Sequence, residues 1–139
     1  MVRFALIVLM FGFGPTVALA QMSADEFERY TEGKTLTYVE NGFAYGVEEY
    51  LPGRRVRWSF LDGRCSDGVW YEEAGGICFV YENNPDPQCW TFTASPRGLV
   101  ADFIGDDAPR LYEAQNLDEE MLCLGPEVGV SYQPNPLSD

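Results

Sequence analysis

Between Lys34 and Asn116 the chain is cut into pieces of about seven residues, and nearly every cut falls on a turn-forming pair or cluster. Asn41-Gly42, Pro52-Gly53 and Gly75-Gly76 separate early pieces; NPDP, SPRG and DDAP separate later ones. Such punctuation leaves no room for long helices. It predicts strands over 34–40, 43–51, 54–60, 68–74, 77–83, 88–94, 99–105 and 110–116. The piece RRVRWSF alternates, with Val56, Trp58 and Phe60 on one face and Arg55, Arg57 and Ser59 on the other. In FAYGVEEYL the same alternation sends Tyr45 and Val47 inward.

Short strands joined in order by tight turns predict an all-β fold, an antiparallel up-and-down meander of about eight strands. Closing the meander as a small barrel removes its two exposed edges; an open sheet or sandwich is the alternative. An eight-stranded barrel has an interior that side chains fill or that holds one small ligand. Candidate lining residues are Trp58, Trp70, Trp90, Phe79 and Tyr81. Before the strands, Ser23-Ala24-Asp25-Glu26 reads as a capping box opening a short helix over 24–31, with Gly33 as its stop.

The first twenty residues, MVRFALIVLMFGFGPTVALA, have the pattern of a secretory signal peptide. Arg3 gives the positive start, Phe4 to Phe13 an apolar run too short to span a bilayer, and Ala18-Leu19-Ala20 a small-x-small cleavage site. The expected organisation is a signal peptide at 1–20, one disulfide-stapled β domain at 21–124 and an irregular tail at 125–139. Periplasmic or secreted localisation follows, without a stable membrane anchor.

Four cysteines, at 65, 78, 89 and 123, are then exposed to an oxidising compartment. None form Cys-x-x-Cys, and structural zinc favours closely paired ligands, so two disulfides are expected and neither a metal nor a cofactor. In a meander, Cys65 and Cys89 fall near one end and Cys78 and Cys123 near the other, which suggests the pairs Cys65–Cys89 and Cys78–Cys123.

The chain has no histidine, which excludes Ser-His-Asp and Cys-His catalysis. It also lacks a phosphate-binding glycine loop and a nucleophile elbow. Carboxylates remain, but Glu48-Glu49, Glu72-Glu73, Asp106-Asp107 and Glu119-Glu120 are adjacent pairs, and neighbours on a strand point to opposite faces. The loop from Asp62 fails as a calcium loop, having Arg64 and Asp67 where an oxygen ligand and a glycine belong. An irregular calcium site would have to use Asp102, Asp106 and Asp107. Arg54, Arg55 and Arg57 read as a solvent face among glutamates.

The formal charge of −13 repels phosphate backbones, so nucleic acid is not an expected partner. It attracts cationic partners. Exposed acidic turns, especially Asp106, Asp107, Glu72 and Glu73, are candidate contacts for a basic secreted protein.

The run GKTLTYVENGFAYGVEEYLPGRRVRWSF, continuing through CSDGVWYEEAGGICFVYE to PQCW, resembles a group of small secreted bacterial domains of unknown function. That resemblance implies no catalytic residues. The plan of short helix, meander and acidic surface is similar, at fold level, to lipocalin-like and periplasmic lysozyme-inhibitor barrels. The expected function is a non-enzymatic binding module, first for a protein such as a cationic hydrolase, alternatively for a small apolar ligand.

Overall fold

The computed structural model describes residues 20–105, 109–115 and 120–124. Residues 1–19 of the expected leader, the tail at 125–139, Glu119, Asp106 and Asp107 lie outside the described residues. One helix precedes eight strands: α1 (Ala24–Thr31), β1 (Thr35–Glu40), β2 (Phe43–Leu51), β3 (Arg55–Ser59), β4 (Ser66–Glu73), β5 (Gly76–Tyr81), β6 (Asn84–Ser95), β7 (Gly98–Phe103) and β8 (Leu111–Glu113). Each strand runs antiparallel to the next. β8 pairs back onto β1 at Tyr38–Glu113 and Val39–Tyr112, so the meander closes as a barrel. Among the described residues, no helix is long and apolar enough to cross a membrane.

The turns bend as their residues dictate. Asn41 and Gly42 have φ of 49° and 85°, and Ala74 and Gly75 have 49° and 80°. Two successive left-handed residues give the hairpin turn whose twist matches the strands it joins. Several boundaries move by one to three residues, and the start of β6 moves furthest, from 88 to Asn84. NPDP belongs to β6, which starts at Asn84 and carries Pro85 and Pro87. Ladder pairing to β7 begins only at Trp90, so that flank of the prolines has no β7 partner, and missing N–H groups are tolerated at such a strand start.

That longer β6 also corrects the disulfide pairing. The bonds are Cys78–Cys89 and Cys65–Cys123. With the turn drawn in to residues 82–83, Cys89 sits partway along β6 and directly opposite Cys78 of β5. Cys123 does not stay at the far end either. The C-terminal segment returns to the loop after β3, where the Leu124 N–H donates to the Gly63 carbonyl at 2.8 Å, beside Cys65. All four cysteines are bonded, as expected.

Helix α1 closes one end of the barrel. Its capping box forms as read: the Glu26 N–H donates to Ser23 Oγ at 3.3 Å and the Ser23 N–H donates to Glu26 Oε2 at 2.9 Å. Eight residues are too few to hold a helix unaided, so packing holds this one. Phe27 is fully buried and meets Tyr50 edge-on at 5.7 Å, Trp70 at 5.2 Å and Phe92 at 4.4 Å. At the same end, Arg54 pairs with Glu28 at 2.9 Å while its guanidinium lies over the Trp70 ring. The Gly33 N–H donates to the Tyr50 carbonyl, and that of Met22 to Phe92. Arg57 likewise sits among carboxylates, at 2.7 Å from Asp67 and 3.6 Å from Glu49, so these two arginines of the cluster are the paired surface residues expected.

Candidate functional site

Opposite the helix, where the β1–β2 and β5–β6 turns and the β3–β4 loop gather, the barrel opens onto a cavity of about 420 Å³. That volume lies within the ~300–1,000 Å³ common for small-molecule sites. Tyr50, Phe79 and Phe92 line its deep part, just above the Phe27 plug, and Tyr45, Trp58, Tyr81 and Trp90 line its walls. Phe60, Asp62, Arg64 and Asn84 border it nearer the mouth. Phe60 is 61 % exposed rather than buried, stacked edge-on against Trp58 at 5.2 Å. Asp62 and Arg64 form a rim ion pair at 3.2 Å.

Into this aromatic chamber the fold places a carboxyl group. The β1–β2 ladder pairs Leu36 with Glu48 and Tyr38 with Gly46, then slips by one so that Val39 faces Ala44. Tyr45 is the extra residue of a bulge. A slip of one residue inverts which side chains face inward. Below the bulge the inward residues are Tyr50, Glu48 and Gly46; at the bulge Tyr45 joins the cavity wall. Val47 is therefore not an interior residue. It is fully buried but stands outside the core cluster, paired with Thr37, which shares an outer cleft with Met121 and Cys123. Gly46 is required where it stands, because a Cβ there would lie 2.1 Å from the Trp58 ring and 2.8 Å from the Ser59 carbonyl.

Glu48 is 2 % exposed. The Tyr81 hydroxyl donates to its Oε2 at 3.0 Å, across the barrel from β5. Its Oε1 has no hydrogen-bond partner among the described residues, and neither has the buried Nε1 of Trp58. Burial pushes the Glu48 carboxyl well above the usual carboxylate range, against the opposing pull of the Tyr81 bond. Burial first, and the neighbouring Glu48 second, push Tyr81 up as well. Tyr38 and Tyr50 share a hydroxyl–hydroxyl contact of 2.7 Å, and burial raises both.

At Glu48 the native state keeps a proton that the unfolded chain releases above about pH 4.5, its ordinary value. The group's stabilising contribution is thus complete below that pH and is lost as pH rises through the raised folded value. Glu48→Gln removes the titration. The urea midpoint of the variant minus that of the wild type should increase from about pH 5 to pH 8. A difference that stays flat across this window would show that Glu48 titrates normally.

Of the candidate lining residues, Trp58, Trp90, Phe79 and Tyr81 come together in the cavity. Trp70 does not border it: it packs on Phe27 beneath Arg54, within the plugged end. Glu72 and Glu73 are exposed at the end of β4, by the turn that Gln21 reaches with a hydrogen bond to the Gly75 carbonyl. Candidate contacts Asp106 and Asp107 lie outside the described residues. Asp102 is engaged by Arg110. Glu73 lies near Cys78 and Cys89, but their sulfurs are bonded to each other and offer no thiolate to a metal. Glu48 is the functional candidate missed in the sequence. Its signal was present in the parity of β2, where counting back two from Tyr50 reaches Glu48.

Comparison with protein-family models, curated proteins and solved structures finds no match to this chain.

Proposed function

We propose that this chain is a periplasmic or secreted, non-enzymatic binding domain whose barrel interior receives one small, largely aromatic or apolar ligand. The observation that carries the reading is the cavity of about 420 Å³, plugged at one end by Phe27 and open at the other. Its walls offer stacking area, while Glu48 Oε1 and Trp58 Nε1 offer one acceptor or donor each. Two disulfides suit an oxidising compartment. Native mass spectrometry of protein isolated from its own source, without denaturation, is expected to show a small-molecule adduct that organic solvent releases. Protein of bare polypeptide mass, together with failure to bind any apolar probe, would reject the reading.

A basic secreted protein is the second reading, supported by the charge of −13 and the exposed Glu72 and Glu73. Electrostatic steering would make association strongly salt-dependent. A panel of basic hydrolases that neither bind nor lose activity at low salt would remove it.

A further inference from the structure

We propose, resting on the small-ligand reading, that the cavity is selective for an organic cation: an amine whose N–H meets Glu48 Oε1 and whose apolar body lies among the rings. Glu48 projects into the chamber from β2, and one of its oxygens is already held by Tyr81 at 3.0 Å. The other oxygen is buried and unpaired among the described residues. Arg64, the one basic residue bordering the cavity among the described residues, is at the rim and is neutralised by Asp62 at 3.2 Å. Among the described residues the carboxyl therefore faces the chamber without an internal counter-ion. Around it stand Tyr45, Tyr50, Trp58 and Tyr81. The negative faces of such rings attract a cation, and a desolvated one most strongly. The surrounding charge of −13 draws cations toward the mouth.

An anionic ligand finds the opposite: a buried carboxyl and, among the described residues, no unpaired cation in the wall. A neutral alcohol would satisfy Oε1 by one hydrogen bond but would gain nothing from charge. An ammonium group gains a charge-assisted bond.

The groups that face Glu48 from its neighbours are Tyr38 of β1, Tyr50 of β2 and Tyr81 of β5, each of which burial keeps protonated near neutrality. Glu113 of β8 acts on Tyr38 and is itself held by the Tyr30 hydroxyl at 2.7 Å. Below its raised folded value the ligand-free carboxyl holds a proton, and there an ammonium ion binds with release of that proton to the buffer. Amine affinity then rises with pH until the ligand-free carboxyl is ionised, and levels off above it.

The test uses 4-phenylbutylamine, 4-phenylbutanol and 4-phenylbutyrate as probes, titrated calorimetrically into the full disulfide-bonded protein and into Glu48→Gln. The amine is expected to bind wild type about 10- to 100-fold more tightly than the alcohol. The butyrate should be the weakest. In Glu48→Gln the amine should fall to the level of the alcohol, while alcohol binding persists and shows that the barrel is intact. Amine affinity in wild type should climb from about pH 5 to pH 8, and not in the variant. Equal binding of amine and alcohol by wild type, or an amine preference that survives Glu48→Gln, would overturn the cation assignment and leave the small-ligand reading standing. Absence of binding by all three up to about millimolar concentration would overturn both.

Discussion

Phe27→Ala is expected to destabilise the protein by about 3–5 kcal/mol, the largest effect of any single side-chain truncation considered. Phe27 has no exposed surface, and it touches Tyr50, Trp70, Phe79 and Phe92, which come from four different strands. Removing its ring leaves a hole that these neighbours, themselves fixed by the closed ladder, fill only in part. Beyond Phe27 the helix buries only the small side chains of Ala24 and Thr31, half-buries Tyr30 with its bond to Glu113, and has surface ion pairs that contribute about 0–1 kcal/mol each. Chemical denaturation should show the midpoint fall with little change in slope. Loss of α1 docking should also expose the chamber floor, so amide exchange should quicken first at the backbone bonds from Gly33 to Tyr50 and from Met22 to Phe92. A loss below about 1 kcal/mol would mean that the helix is not the plug.

The second large effect is expected from Cys65→Ser with Cys123→Ser. The bond spans 58 residues, against 11 for Cys78–Cys89. Chain entropy then assigns about 4 kcal/mol to the first and about 3 kcal/mol to the second. The two should also differ in what they disturb. Cys78 and Cys89 are already aligned by the β5–β6 ladder. Cys123 lies on a segment whose described backbone tie to the barrel is Leu124 to Gly63. Loss of Cys65–Cys123 should therefore raise proteolysis after β8 while leaving the barrel folded. Peptide mapping without reductant should recover Cys65 joined to Cys123; recovery of Cys65 joined to Cys89 would contradict the register itself.

The meander, its closure and the capped helix were legible because each depends on local chemistry. Asn41-Gly42 makes one turn only, and Ser23 with Glu26 makes one cap only. The site was legible only in part. Trp58, Trp90, Phe79 and Tyr81 follow simple alternation and fall where alternation puts them. Glu48 does not, because a bulge at Tyr45 changes the parity of β2 between its ends. Alternation read from Tyr45 and Val47 sends Glu48 outward; read back from Tyr50 it sends Glu48 inward. Two apolar residues outweighed one, and a buried carboxyl without a counter-ion is an unfavourable choice for any fold unless something compensates it. The disulfide pairing failed for a related reason. NPDP has the composition of a loop, yet a strand start with an unpaired flank accepts both prolines, and this shift of a few residues carries Cys89 from the barrel end to a place opposite Cys78. Trp70 has inward alternation like the other tryptophans. What separates it from them is the helix end of the barrel, where Phe27 fills the space it would have lined. The adjacent pair Glu48-Glu49 obeys the rule for neighbours on a strand, with Glu48 in the chamber and Glu49 beside Arg57 outside.

A binding site inside the barrel is lost when that interior is filled. Ala101 borders the cavity between Phe92 and Leu111 and is 2 % exposed, so Ala101→Phe directs a ring into the chamber. Overpacking of this kind costs about 1–3 kcal/mol, which the disulfide-bonded barrel should survive; far-ultraviolet circular dichroism would verify that it has. The measurement is a fluorescence titration of N-phenyl-1-naphthylamine, a neutral apolar probe, followed by loss of tryptophan emission as the probe enters beside Trp58 and Trp90. The wild type is expected to bind with saturation at one site, and folded Ala101→Phe to lose that binding by at least about ten-fold, the equivalent of ~1.4 kcal/mol. Equal binding by the two proteins, or no binding by the wild type up to about millimolar probe, would contradict a binding site in the barrel interior.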